Sequence, residues 1–324
     1  MDNKRQAMSD TRYAIDVAKV ERMVRHIFAE AKVEECRLFT SDTIHRSYDL
    51  RLTNPTHELI FKLYLSEGPT FRPKKEAEVL RRVATETGVI VPYLLHHDES
   101  LFPWPCALLT RPPGYPLSEI LPKIENLDLE TIGYEMGRYL AKLHSLPAFR
   151  FGEYLSSDAW AAGHERLYTL ARLDETLRQC QERGLLPPES VKELKNLFRE
   201  TPVLTLQDPC LVHGHFHEGN VVVEESVAGY HVTAFINFES SVAWCPEWDL
   251  ARPFDRLVEK YSALQESLLS GYGSIGIIPE IFWSRLELYK LLARIEDMLQ
   301  AKKVGQEKDA QLHKKYIERF LASR

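Results

Sequence analysis

Several features that would place a chain quickly are missing from this one. No run of about 18 apolar residues occurs anywhere, and the N-terminal MDNKRQAMSDTR is polar with no apolar core. Neither a membrane-spanning helix nor a secretory leader is therefore expected. Cysteine is sparse, and Cys36, Cys106, Cys180, Cys210 and Cys245 are odd in number, scattered and never in CxxC spacing. That excludes a disulfide framework or a cysteine zinc cage and predicts reduced thiols in a cytoplasmic protein. Excess positive charge is lacking too. A formal net charge of −6 removes any general electrostatic reason to bind nucleic acid. There is no Gly-x-Ser-x-Gly elbow, and no cysteine sits in an activating context, so a nucleophilic triad is not expected. What is present is ordinary globular composition, 44% hydrophobic and 27% charged, over 324 residues, enough for two cores or one two-lobed unit.

The first third alternates helix and strand, and the rest is mostly helical apart from strands near residues 211–239. Within residues 14–31, Val17, Val20, Met23, Val24 and Ile27 recur at three-to-four spacing, which predicts a helix packed on the smaller part. Alternation and β-forming side chains predict strands over 37–40, 47–52 and 58–65, with Asn54 and Pro55 turning between the last two. Pro73 suits a first helical position and opens a predicted helix to about residue 87. In ELIFKLYL, Leu59, Phe61, Leu63 and Leu65 share one face, which leaves Lys62 on the other with Ile60 and Tyr64. Glu76 shares a helical stripe with Leu80 and Val83, and a carboxylate aimed inward needs a cationic partner. A strand over 107–110 ends at RPPGYPLSEIL, whose prolines and glycine fix a turn. The next helix, 129–146, carries an apolar face with Gly133 and Gly137 open to a close neighbour. Amphipathic segments over 256–269, 279–299 and 308–322 follow, and Trp244, Trp248, Trp283 and Tyr289 read as packing between helices ahead of lining a pocket.

The densest chemistry lies in LVHGHFHEGNVVV, residues 211–223, followed by AFINFE at 234–239. His213, His215 and His217 alternate, so an extended loop projects them to one side, a geometry compatible with ligation of a transition metal such as zinc. The two segments resemble the signature of the aminoglycoside phosphotransferase and choline kinase-like family. There His-Gly-Asp-x-x-x-x-Asn on a loop precedes Ile-Asp-Phe-Glu/Asp on a strand. His213, Gly214, Asn220, Phe238 and Glu239 match that pattern. His215 stands where the base aspartate belongs, and Asn237 where the main metal-binding aspartate belongs. PEWDLA also matches, with Asp249 resembling the aspartate that braces the loop. MGRYLAKLHSL resembles a family helix in which His144 is structural.

This resemblance implies an α+β, two-lobed protein kinase-like fold. It consists of a polar tail over 1–12, a small β-rich N-lobe over 13–110 and a larger, mainly helical C-lobe over 111–324. It implies ATP-dependent phosphoryl transfer to a hydroxyl of a small molecule, at a weak or altered rate. That reaction requires a base and oxygen ligands for Mg²⁺. On this reading Lys62 and Glu76, with Glu78 as the competing acid, hold the nucleotide's phosphates. Ser41, in the glycine-free stretch 39–46, and the backbone of Leu109 are further nucleotide contacts. Asn220, Asn237 and Glu239 hold a weakly bound Mg²⁺, and His215, Asn220 and His213 make the catalytic loop, with His215 replacing the base. Loss of both carboxylates supports two other readings. One is a lapsed kinase fold used as a binding or regulatory module; the other is a fold reassigned to another reaction through His213, His215 and His217. Glu247, Asp249, Asp255 and Glu259 make the acceptor region acidic, which favours an amine-bearing acceptor.

Overall fold

The computed structural model describes residues 15–41, 45–65, 73–154, 161–204 and 207–323. The chain divides into two compact units, Met1–Ala77 with Pro92–Arg111, and Glu78–Val91 with Pro112–Arg324.

The first unit is an antiparallel sheet. It starts from helix α1 (Val17–Val24), then β1 (Lys32–Ser41), β2 (His45–Thr53) and β3 (His57–Tyr64). The first turn of α2 (Pro73–Thr87), β4 (Leu94–Asp98) and β5 (Cys106–Thr110) complete it. The sheet order is β1-β2-β3-β5-β4. Period-two alternation does what the sequence predicts: Leu59, Phe61 and Leu63 enter one core with Val20, Met23 and Val24 of α1 and with Leu50, Leu52 and Leu108. Helix α1 is much shorter than the predicted 14–31. Asp16 caps its start by accepting the Ala18 and Lys19 N–H groups. At its end the Ile27 N–H reaches back only three residues, to the Val24 carbonyl, and Arg25 Nε donates to Ala31 O at 3.2 Å. Those bonds turn the chain into β1, so helical spacing continues in sequence where the helix has stopped. β1 is longer than predicted, because its pairing with β2 shifts register between Val33 and Glu35 and between Leu38 and Thr40. Each irregularity breaks the alternation on which the prediction depended.

The second unit is mainly helical, with two small sheets. Its elements include β6 (Tyr115–Pro116), α3 (Asn126–His144), β7 (Phe151–Gly152), β8 (Ala161–Ala162), α4 (Glu165–Glu182) and α5 (Pro188–Glu200). β9 (Cys210–Val212), β10 (Val221–Ser226), β11 (Gly229–Phe235) and β12 (Val242–Trp244) follow, then α6 (Glu247–Arg252), α7 (Ala263–Gly273), α8 (Phe282–Lys303) and α9 (Glu307–Ala322). One sheet runs β11-β10-β6 and the other β8-β7-β12-β9. The single helix predicted over 256–269 is instead a π-helical turn, Pro253–Leu257, continuing α6, then a short segment and a separate α7. Pro253 lacks the N–H that a regular α-helical ladder uses there. Trp244 and Trp248 stack at 4.5 Å, with Tyr289 edge-on to both, so these three are core. Trp283 remains 46% exposed. A fully buried Arg285 ties α8 to α6 and α4 through Glu247 (2.8 Å) and Glu165 (2.7 Å). Tyr289 Oη also donates to Glu165, at 2.5 Å. Removing one member of such a buried network costs about 3–5 kcal/mol, because a charge is left without its partner.

Candidate active site

In the first unit, β3 and α2 bring together the two residues that strand and helix periodicity aimed inward. Lys62 Nζ donates to Glu76 Oε1 at 2.8 Å and to Oε2 at 3.0 Å, and both side chains are buried. Tyr64 adds a donor that sequence reasoning missed, its hydroxyl meeting Glu76 Oε2 at 2.5 Å. The signal was available, since Tyr64 lies two residues from Lys62 on the same strand face. Glu78, the competing acid, binds Arg81 on its own helix instead. Ser41 ends β1 opposite Arg46 in the backbone register; its side chain and residues 42–44 lie outside the described residues. Leu109 is buried in the interior strand β5, opposite Ile60 on one side and Leu94 on the other. The Thr110 N–H, at the end of β5, donates to Tyr93 O at 2.9 Å.

The loop between β9 and β10 is built in the second unit around a buried carboxylate. Asp249, on α6, accepts the N–H of His213 at 2.6 Å and of Gly214 at 2.9 Å. His144 Nε2 lies 3.1 Å from the same carboxylate, and its Nδ1 lies 3.0 Å from the Tyr272 hydroxyl. In the tautomer that carries its one proton on Nε2 toward Asp249, Nδ1 accepts from Tyr272. Trp248 Nε1 donates to Gly214 O at 2.9 Å. Gly214 is required here: its φ is +86°, and an added Cβ would lie 2.0 Å from Ser240 O. Asp249 and His144 thus occupy the bracing positions implied by the resemblance, while Trp248 and Tyr272 are additions of the tertiary structure.

The three histidines have separate surroundings. His213 is buried; its Nε2 donates to Ile236 O at 2.8 Å and its Nδ1 receives the His215 N–H at 3.4 Å. His217 Nδ1 accepts the Gly219 N–H at 3.0 Å, capping the short turn Glu218–Asn220. The rings of His215 and His217 lie 4.7 Å apart. Burial, then the His217 ring and the Arg252 guanidinium, hold the His215 imidazole well below its ordinary range. Burial and Arg252 push His217 down to about 3. Both rings are therefore neutral near pH 7. Among the described residues, no three His, Cys, Asp or Glu side chains converge as a metal cage.

Asn220 and Asn237 do converge, but on each other. Asn237 Nδ2 donates to Asn220 Oδ1 at 2.8 Å, and Asn220 Nδ2 donates to His215 O at 2.8 Å. Asn237 adopts φ +67°, a left-handed conformation that Asn tolerates, which sets its amide against Asn220. Glu239 is buried on the adjoining turn Phe238–Ser240. Mg²⁺ takes oxygen ligands, with one or two carboxylates among them. Here the Asn220 oxygen that would serve is already accepting a hydrogen bond, and position 237 presents an N–H donor toward it. As oriented, the amide pair leaves Glu239 as the one carboxylate of the implied Mg²⁺ set.

Three of the four acids behind the amine-bearing acceptor expectation are occupied internally, and the side chain of Glu259 lies outside the described residues. Glu247 binds Arg285, Asp249 binds the loop backbone, and Arg294 Nε lies 2.5 Å from Asp255.

None of the curated proteins matches the chain. Solved structures are similar to it in fold. A thermostable mutant of aminoglycoside phosphotransferase APH(4)-Ia, in ternary complex with ADP and hygromycin B, has 15% identity and a TM-score of 0.68. The match covers 94% of this chain and 98% of that one. The GDP complex of wild-type aminoglycoside 2'-phosphotransferase-IIIa has 13% identity and a TM-score of 0.68 over 95% of this chain and 99% of that one. The GDP and kanamycin complex of APH(2")-IIIa has 13% identity and a TM-score of 0.67, covering 94% and 98%. These likenesses establish the kinase-like α+β architecture. A family model, that of the phosphotransferase enzyme family, matches residues 35–289 and so takes in Lys62, Glu76, the histidine loop and the Asn237 turn. With that span matched and the loop braced by Asp249 from behind, the chain belongs to the phosphotransferase enzyme family.

Proposed function

We propose that this chain is a nucleotide-binding member of the family in which metal-dependent phosphoryl transfer has lapsed. The buried Lys62–Glu76 pair supports retention of ATP binding, because a lysine held by a carboxylate is a fixed cation for a triphosphate. The Asn237-to-Asn220 hydrogen bond carries the rest. With an amide at 237, Glu239 is the one anion left in the implied Mg²⁺ set. A unit charge pair at about 4 Å is worth on the order of 4 kcal/mol at an effective dielectric near 20, so its loss removes most of the hold on the ion. His215, kept neutral and weakly basic, leaves transfer to a hydroxyl slow or absent. Solved relatives carrying ADP or GDP with hygromycin B or kanamycin support a nucleotide and a small-molecule ligand here. Free cysteines, four of the five buried, support a reducing, cytoplasmic setting.

The test is calorimetric titration of ATP in excess Mg²⁺ and in EDTA. The expected dissociation constants agree within about threefold, under 1 kcal/mol. Tightening by Mg²⁺ of about tenfold or more, 1.4 kcal/mol, would return the chain to the active phosphotransferases.

A further inference from the structure

Away from the histidine loop, the second unit contains a cavity of about 640 Å³, within the range of small-molecule sites. It opens to solvent past Ser145, Asp208 and Ile277, so a small molecule can enter it without the core opening. Its walls combine apolar groups, among them Ala141, Leu250 and Phe282, with the polar groups His144, Glu247 and Tyr272. Ile275 and Ile277 also line it; Ile277 is 87% exposed, which makes an apolar rim. The lining has two acids, Asp208 and Glu247, and neither lysine nor arginine among the described residues. Glu247 is neutralised by Arg285, whereas Asp208 is exposed.

The cavity is preformed. α3 and α7 meet at backbone contact: a Cβ on Gly137 would lie 2.0 Å from Leu268 O, and one on Gly271 would lie 2.0 Å from Tyr134 O. Tyr272 is therefore carried on a helix that cannot approach α3 any further. From it a continuous chain of hydrogen bonds leads out of the cavity. With His144 as the tautomer that carries its proton on Nε2, Tyr272 donates to His144 Nδ1 (3.0 Å), His144 donates to Asp249 (3.1 Å), and Asp249 receives the N–H groups of His213 and Gly214. The Tyr272 hydroxyl, having donated its proton to that bond, still offers oxygen lone pairs as an acceptor. An ammonium group bound there polarises the hydroxyl and strengthens each bond in the series.

We propose that this cavity is an effector site for a small molecule with an apolar body and a single ammonium group. Its occupancy is transmitted through Tyr272, His144 and Asp249 to the His213–Asn220 loop. The site does not depend on the nucleotide reading, and its test uses no nucleotide.

Phenethylamine is the probe, with 3-phenylpropionate as a similar body of opposite charge. The expected result is saturable calorimetric binding of the amine and none of the acid. Backbone hydrogen exchange in residues 211–216 should slow by about fivefold or more, the lower end of ordinary coupling between sites. Ser145→Trp, at an exposed wall residue, should abolish binding with an unchanged unfolding midpoint. Asp208→Asn should weaken it about two- to fivefold, the worth of an exposed charge pair. Tyr272→Phe should still bind the amine but lose the exchange protection. Absence of saturable amine binding, equal binding of the acid, or full binding by Ser145→Trp overturns the site. Binding that leaves wild-type exchange unchanged, or protection that survives Tyr272→Phe, overturns the transmission.

Discussion

At the scale of single residues, the loop is held by one amide donating to another. Asn220 Oδ1 has the Asn237 N–H at 2.8 Å, where an aspartate would put a second acceptor against the first. Asn237→Asp is accordingly expected to destabilise the protein by about 1–3 kcal/mol in EDTA, the cost of opposing buried acceptors. Mg²⁺ should restore part of that loss, whereas on the proposed function it should leave the unmodified protein's stability unchanged. Denaturant unfolding with and without Mg²⁺ measures both. Equal stability of variant and wild type in EDTA would mean that the amide pair carries no structural weight. A positioned base contributes about 10²–10⁴-fold to proton transfer. His215→Asp alone should nonetheless leave phosphate transfer to a small alcohol at background, and only the pair with Asn237→Asp should raise it.

At the scale of elements, glycine sets how close two helices come. The sequence marks Gly133 and Gly137 as positions for close approach, but the partner, with Leu268 and Gly271 of α7, emerges only from the folded chain. Gly137→Ala forces a methyl toward Leu268 O and Tyr272 N, at 2.0 and 2.7 Å from the ideal Cβ. Overpacking of this kind costs about 1–3 kcal/mol or more. Gly163→Ala is the matched control, with no atom within 4 Å of its Cβ, and should shift stability by no more than about 0.5 kcal/mol. Thermal unfolding of the two variants separates them. A Gly137→Ala protein as stable as the control would show that α3 and α7 part without cost.

At the scale of the whole molecule, neutral buried histidines set the acid limb of stability. His313, on α9, is 6% exposed, and burial pushes its pKa down to about 4 even though Asp297 opposes the shift. The group titrates near 6.5 in an unfolded chain. Between those values the unfolded state takes up a proton that the native state refuses. Stability is thus fully present above about pH 6.5 and falls as pH drops toward 4, on the order of 1 kcal/mol per unit for one such group. His215 and His217, also depressed, add to the same limb. His313→Gln should flatten the pH dependence of the unfolding free energy between pH 6.5 and 4.5. An unchanged slope would remove His313 from the account.

The sequence by itself determined whatever depends on periodicity and local chemistry. The strand face of Lys62, the inward stripe of Glu76, the start of α2 at Pro73 and the family signature at His213, Gly214 and Asn220 were all legible, because a period of 2.0 or 3.6 assigns a side chain to a face without knowledge of its neighbour. The tertiary structure alone decided who that neighbour is. It ended α1 at Val24 through Arg25 and Ala31, and it broke the predicted 256–269 helix at Tyr261 and Ser262. It brought Tyr64 to Glu76, Trp248 to Gly214 and Tyr272 to His144. The acids Glu247, Asp249 and Asp255 read as a negative surface in sequence, yet folding buries each of them against a partner. Composition records that a charge exists; whether it faces a ligand or an internal donor depends on contacts between residues tens of positions apart, which no local pattern encodes.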